Sequence, residues 1–294
     1  MIIEPNKHIG LLFQPRSGSH VVRHYLSEIT DRLDLGELFN PFSRIYRKTG
    51  DPQLSISTAK SVPLPSKDNT EEENILLDTL ILEHAATNAS ILNELSAVNK
   101  NAVFGINNLS YLHCASAAVK IIKSTDTQFI RLERADVLSS IISLMVAKTS
   151  GRWHNPVLAP GEILPYDIEI TKSKRLVIPD MLFLLQSYVD NLKSMQQHYG
   201  ELPVMYYEEF QHNVSNLRNM FTGIPNRIVS IPFKRMGLNY KEVVANLDDM
   251  EDLYENFVNE NKEFFPQYFN KLPHIIIPES NGRQPRDLSL LQVA

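Results

Sequence analysis

One cysteine, Cys114, stands in a chain of 294 residues. An intrachain disulfide is therefore excluded, and the composition suits a reducing compartment. Cys114 falls within an apolar helical pattern, where it reads as a buried structural thiol rather than a nucleophile. Basic residues are scattered: 29 lysines and arginines against 34 acidic residues leave a net charge of −5, and a dedicated nucleic-acid binder is not expected. No apolar run approaches the roughly 20 residues that cross a bilayer. Glu4, Asn6, Lys7 and His8 interrupt any charged-then-apolar leader pattern. The expectation is a soluble chain, placed in the cytoplasm. The Walker A pattern is missing, since no Gly-Lys-Ser or Gly-Lys-Thr occurs. There is no G-x-S-x-G elbow of a hydrolase. Histidines such as His84, His113, His198, His212 and His274 have no paired spacing, so no metal site is expected.

What is present is enough for a core. Hydrophobic residues make up 43% and aromatic residues 9%, which sets the chain apart from disordered sequences. Strand-like runs at His8 to Phe13, Ala102 to Ile106, Thr127 to Leu132 and Val204 to Tyr207 alternate with helical periodicity. The helical segments are Val21 to Ile29, Ile75 to Val98, Tyr111 to Lys123, Val137 to Lys148, Met181 to His198 and Val214 to Phe221. This alternation predicts an α/β fold, a single domain over 1–294 with a central parallel sheet flanked by helices. Two stretches break the pattern, 43–70 and 153–179. Loops of that length in a compact domain are functional lids or surface segments. They are read as walls of an acceptor pocket, with surface loops that have no role as the alternative.

The densest chemical signal is Phe13-Gln14-Pro15-Arg16-Ser17-Gly18-Ser19-His20, between the first strand and the first helix. A strand, a Gly/Ser turn and a helix start make an anion cradle, which gives the domain a P-loop-like plan. Glycine lets the backbone approach the ligand, small hydroxyls add donors, and N–H groups gather at the positive end of the helix dipole. Arg16 adds a fixed cation. The alternative is an ordinary strand-to-helix turn with an N-cap serine.

A second segment runs from Arg134-Ala135-Asp136-Val137 through Ser143-Leu144 and Ala147 to Ser150-Gly151-Arg152-Trp153-His154. Arg134 falls at the carboxyl end of a strand, where open α/β sheets bind ligands, and Ser143 lies in the helix that follows. Together the two segments resemble the sulfotransferases that use 3′-phosphoadenosine 5′-phosphosulfate (PAPS), in particular the bacterial branch of trehalose and nodulation-factor sulfotransferases. In that family the first loop reads Pro-(Lys/Arg)-(Ser/Thr)-Gly-(Ser/Thr), and the second segment reads Arg-x-Asp-Val, Ser-Leu, Ala and Thr-Gly-x-Trp-His. Val204-Met205-Tyr206-Tyr207-Glu208-Glu209-Phe210 is similar to its Tyr-Glu-(Asp/Glu)-Leu strand ending. Phe233 to Gly237, with Asn239 to Val244 and Asn246, resembles its nucleotide-covering loop.

The resemblance implies a sulfuryl transfer to a hydroxyl or amine acceptor, of which a carbohydrate is one example, with 3′,5′-adenosine bisphosphate as product. It implies that Arg16, Ser17, Gly18, Ser19 and His20 hold the 5′-phosphosulfate, and that Arg134, Ser143, Lys234 and Arg235 hold the 3′-phosphate. Glu37, in Gly36-Glu37-Leu38-Phe39-Asn40-Pro41, matches the context of the family's general base. His20 replaces the usual threonine or serine; an imidazole there donates to the sulfate or acts as an alternative base. Asn107-Asn108 stand where related enzymes often carry lysine. Two other classes stay open at this point, a non-catalytic binder of a nucleotide or sulfated glycan and a nucleotide-dependent kinase.

Overall fold

The run His8-Ile9-Gly10-Leu11-Leu12-Phe13 is apolar without alternation, and such a strand is stable where both faces are covered. It forms β1 (His8–Phe13), buried along its whole length. β1 is the middle strand of a five-stranded sheet, with order β2-β3-β1-β4-β5 and every pairing parallel. The others are β2 (Leu33–Asp34), β3 (Ala102–Asn107), β4 (Thr127–Glu133) and β5 (Val204–Tyr206). The computed structural model describes residues 2–15, 17–42, 62–63, 68–107, 114–150, 176–209, 221–222 and 244–265. The fold is the mixed α/β arrangement that the sequence predicts, a parallel sheet with flanking helices. The expected helix at Val214 to Phe221 lies outside the described residues except for its last residue.

Six helices are described: α1 (Ser19–Thr30), α2 (Glu71–Ala97), α3 (Ala115–Lys123), α4 (Val137–Ser150), α5 (Ile178–Tyr199) and α6 (Leu247–Glu260). The period-two geometry of the strands divides the core by sheet face. Ile9, Leu11 and Phe13 pack with Val22, Leu26 and Ile29 of α1. On the opposite face, Leu12 and Phe104 pack with Ile81 and Leu92 of α2 and Ile122 of α3. α2 starts at Glu71, four residues before its apolar run. Thr70 and Glu73 close a capping box there: Glu73 N–H donates to Thr70 Oγ1 at 3.2 Å, and Thr70 N–H donates to Glu73 Oε2 at 2.7 Å. The acidic first turn favours the same start. By length and composition α2 is also apolar enough to cross a bilayer, with 44% of its most apolar window buried in the protein.

The chain divides into two compact units, Met1–Glu133 with Lys193–Ile231 and Arg134–Leu192 with Pro232–Ala294. The first contains the whole sheet. The root of β1 is held there by a buried histidine. Ala102 N–H donates to His8 Nδ1 at 3.0 Å, so the ring proton sits on Nε2 and donates to Leu92 O at 2.9 Å. One side chain thus joins β1, β3 and α2. Arg32 closes the segment before β1 by donating to the carbonyls of Glu4, Pro5 and Lys7.

In the second unit, Asp136 caps α4 through Ser139, whose N–H donates to Asp136 Oδ1 at 3.0 Å. Asn246 imitates a backbone partner: Leu176 N–H donates to its Oδ1 at 2.9 Å, and its Nδ2 donates to Leu176 O at 3.0 Å. Phe265 stacks on Tyr188 with centroids 5.9 Å apart. Pro179, expected in a loop, occupies the first turn of α5, where the missing N–H has no cost. The strand expected to include Tyr207 ends at Tyr206, and Tyr207–Glu209 form a short 3-10 turn.

Burial pushes the His8 imidazole below its ordinary value of 6.5, against the raising effects of the Leu92 carbonyl and Asp126. The unfolded chain therefore takes up this proton before the folded one does. The contribution of His8 is complete above the ordinary value and is lost as pH falls below it. The urea midpoint is expected to drop between about pH 7.5 and about pH 5.5, and His8→Gln should flatten that part of the profile while lowering stability at the upper end. A wild-type profile no steeper than that of His8→Gln would refute the assignment.

Candidate functional site

The chain leaves the sheet centre at Phe13 and turns into α1 through residues 14–18. Its position follows from the topology. β1 leads to β2 on one side and β4 leads to β5 on the other, so the connections diverge between the adjacent strands β1 and β4. That is the crevice where open α/β sheets take ligands.

The cap of α1 is Gly18, not a serine. Its backbone is left-handed, φ 81° and ψ 14°, and no side chain caps the helix start among the described residues. The first turn closes on Gly18, whose carbonyl accepts from Val21 N–H at 3.1 Å and from Val22 N–H at 3.2 Å. Gly18 is required here twice over. An L side chain is strained at this φ, and a Cβ would overlap Cε2 and Cδ2 of Tyr207 and lie 3.1 Å from its Cζ. Tyr207, which follows β5, is itself buried. Its ring presses on the loop from below and leaves space for hydrogen only.

Ser17 departs from expectation in one respect. Its N–H donates to Gln14 O at 3.3 Å, so it is occupied inside the turn. Ser17 is 1% exposed, and its Oγ has no hydrogen-bond partner among the described residues. A buried hydroxyl without a partner carries a desolvation cost of about 1–3 kcal/mol; an anion oxygen seated in the loop removes it. Ser19 is buried and His20 is exposed. Arg16, Lys234 and Arg235 lie outside the described residues, as do 43–61, 64–67 and 153–175 of the expected pocket walls.

Glu37 sits in a turn that is tied down on every side. Gly36 N–H donates to Asp34 Oδ1 at 2.9 Å, Gly105 N–H donates to Gly36 O at 2.7 Å, and Asn40 Nδ2 donates to Glu37 Oε2 at 2.7 Å. A Cβ at Gly105 would lie 2.6 Å from Phe13 Cε1 and 3.6 Å from Glu37 Cγ. The Phe13 ring and the Glu37 side chain thus both border Gly105 of β3. Glu37 is half-buried, and Oε1 has no partner among the described residues. Asp34 also pairs with Arg23 Nε, and Arg23 Nη2 donates to His20 Nδ1 at 2.8 Å. The loop helix and the Glu37 turn are thus joined by side chains that sequence reasoning did not single out. Two hints were present: Arg23 lies one helical turn after His20, and Asp34 precedes a glycine turn.

In the second unit Arg134 and Ser143 are both half-buried. Arg134 immediately follows β4, and Ser143 ends the second turn of α4. Within the first unit the strand end is braced by Arg131, whose Nε lies 2.6 Å from Glu133 Oε1. Cys114 is half-buried at the start of α3, and burial, with Asp78 adding to it, pushes its thiol up to about 11. It is a protonated thiol at neutral pH and a poor nucleophile. Among the described residues, no cluster of three His, Cys, Asp or Glu residues could hold a metal.

Gly18→Ala is expected to cost about 2–4 kcal/mol, combining left-handed strain with the Tyr207 overlap. Tyr207→Ala alone should cost about 3–5 kcal/mol through the cavity it leaves. The double variant should be more stable than the sum of the two losses, because the overlap is absent once the ring is gone. Strict additivity in denaturant titrations would show that the ring does not constrain the loop.

Comparison of the sequence with protein-family models and with curated proteins finds no match. Among solved structures, the chain is similar to the crystal structure of a sulfotransferase from Alicyclobacillus acidocaldarius. The TM-score is 0.40 and the identity 16%, over 90% of this chain and 95% of that one.

Proposed function

We propose that this protein is a sulfotransferase, transferring a sulfuryl group from PAPS to a hydroxyl- or amine-bearing acceptor such as a carbohydrate. The observation that carries the reading is the loop between β1 and α1. Its sequence, Pro15-Arg16-Ser17-Gly18-Ser19, resembles a phosphosulfate loop, and among the described residues it offers a partnerless buried hydroxyl beside a helix start with no side-chain cap. Those features fit a tetrahedral anion.

In this reading Ser17 Oγ and the N–H groups of Gly18 to His20 hold the phosphosulfate, and Arg16 balances charge on its bridging oxygen. Arg134, Ser143, Lys234 and Arg235 hold the 3′-phosphate. When bound, the donor supplies the sulfuryl group: the acceptor oxygen–sulfur bond forms as the sulfur–phosphate oxygen bond breaks, in line and through a loose transition state. Glu37 receives the acceptor proton at Oε1, while Asn40 holds Oε2. The protein contributes positioning and fixed charge.

The test is calorimetry with 3′,5′-adenosine bisphosphate, against AMP and against ATP with and without magnesium. The bisphosphate should bind selectively, and Arg134→Ala should weaken it about tenfold to a hundredfold, the loss of one charge-assisted bond. Glu37→Gln should leave that affinity intact and cut transfer of labelled sulfate to a hydroxyl panel by about a hundredfold or more. Arg16→Ala should hit turnover hardest, since its partner charge grows in the transition state. A preference for magnesium-ATP, or no nucleotide binding, would discard the proposal.

A further inference from the structure

Arg23 is 4% exposed and always charged, and none of the roles above uses it. It lies on α1, one turn after His20, and its guanidinium reaches two side chains. Nε meets Asp34 Oδ1, and Nη2 meets His20 Nδ1 at 2.8 Å. A guanidinium only donates. His20 Nδ1 must therefore be an acceptor, which leaves the imidazole proton on Nε2. Protonation at Nδ1 would break this bond and set two cations face to face. The other arm has a separate consequence. Asp34 Oδ1 accepts both from Arg23 and from Gly36 N–H at 2.9 Å, and Gly36 precedes Glu37. One buried cation thus sets the proton on His20 and fixes the turn that carries Glu37.

We propose that Arg23 is a positioning residue: it holds His20 as a hydrogen-bond donor, reserves the general-base role for Glu37, and couples the two through Asp34. The catalytic half of this rests on the sulfotransferase reading; the tautomer half does not. An ion pair that merely pins α1 to β2 needs only the Asp34 contact. The arm to His20 adds nothing to that packing, and a lysine would serve as well.

The experiment compares the full-length wild type with Arg23→Lys and Arg23→Met. Long-range proton–nitrogen NMR of labelled protein reads the His20 tautomer, amide exchange reads Gly36, and steady-state kinetics read donor turnover. The wild type should show the Nε2–H tautomer alone. Arg23→Lys, which keeps the buried charge beside Asp34, should melt near the wild type yet show mixed tautomers. Its turnover should fall about tenfold, with the donor KM changed by less than about threefold, the size of one lost charge-assisted bond made to a catalytic group. Arg23→Met should add faster exchange at Gly36. Should that variant fail to fold, the lysine variant decides alone. A pure Nε2–H tautomer in Arg23→Lys, or full turnover there, would overturn the proposal. Failure of the wild type to bind 3′,5′-adenosine bisphosphate would instead defeat the sulfotransferase reading, and the tautomer would still judge Arg23.

Discussion

From Ile9 to Phe13, β1 is paired on both sides, to β3 and to β4, and helices cover both of its faces. No backbone group of this strand is left for a ligand. The first N–H groups that can be offered lie beyond Phe13, and they emerge where the crossovers diverge. The loop's place is therefore a consequence of the ladder rather than an addition to it. Its conformation has a second cause. Tyr207 arrives from β5, two strands away, and its ring permits nothing larger than glycine at the helix start. The sheet order places the loop, and one aromatic residue from the far side of that sheet shapes it.

The sequence showed this frame clearly where burial on both faces erases alternation. His8 to Phe13 was legible to the residue, and Ala102 and Thr127 mark the starts of β3 and β4 as expected. β2 was not legible: two residues carry no period, and Leu33 and Asp34 count as a strand only through their pairing with Ala102 and Val103. α6 was hidden by composition, since acidic residues and asparagine dominate Leu247–Glu260. β5 stops short of Tyr207 because Glu209 Oε2 turns back to accept Tyr206 N–H at 3.2 Å. The loop between β1 and α1 was legible as residues and spacing, but its supports were not. The Tyr207 overlap and the Arg23 bridge join segments that no local pattern connects.

The supports share one design. Polar groups of the first unit are held by named partners that restrict what they can do. His8, at the opposite end of β1 from the loop, is fixed in one tautomer by an N–H on one side and a carbonyl on the other. Asp34 is committed to Arg23 and Gly36. Buried polar groups are costly when half-satisfied and rigid when fully satisfied. Ser17 Oγ departs from this rule, and it does so inside the loop.

The same comparison separates Glu37 from three other glutamates of the first unit, Glu133, Glu208 and Glu209. Glu133 is 5% exposed and paired with Arg131, and Glu208 is equally buried. Glu209 directs Oε2 to the backbone of its own turn. A general base must meet the proton it removes and must keep a lone pair for it. A carboxylate held in an ion pair is stabilised as the anion and is a weaker base, and one sealed from solvent lacks the approach. Glu37 alone among these four is half-buried, with Asn40 steadying Oε2 and Oε1 left open among the described residues. A side chain fixed at one oxygen and open at the other is oriented without being neutralised. That combination is what the proposed proton abstraction asks of a base.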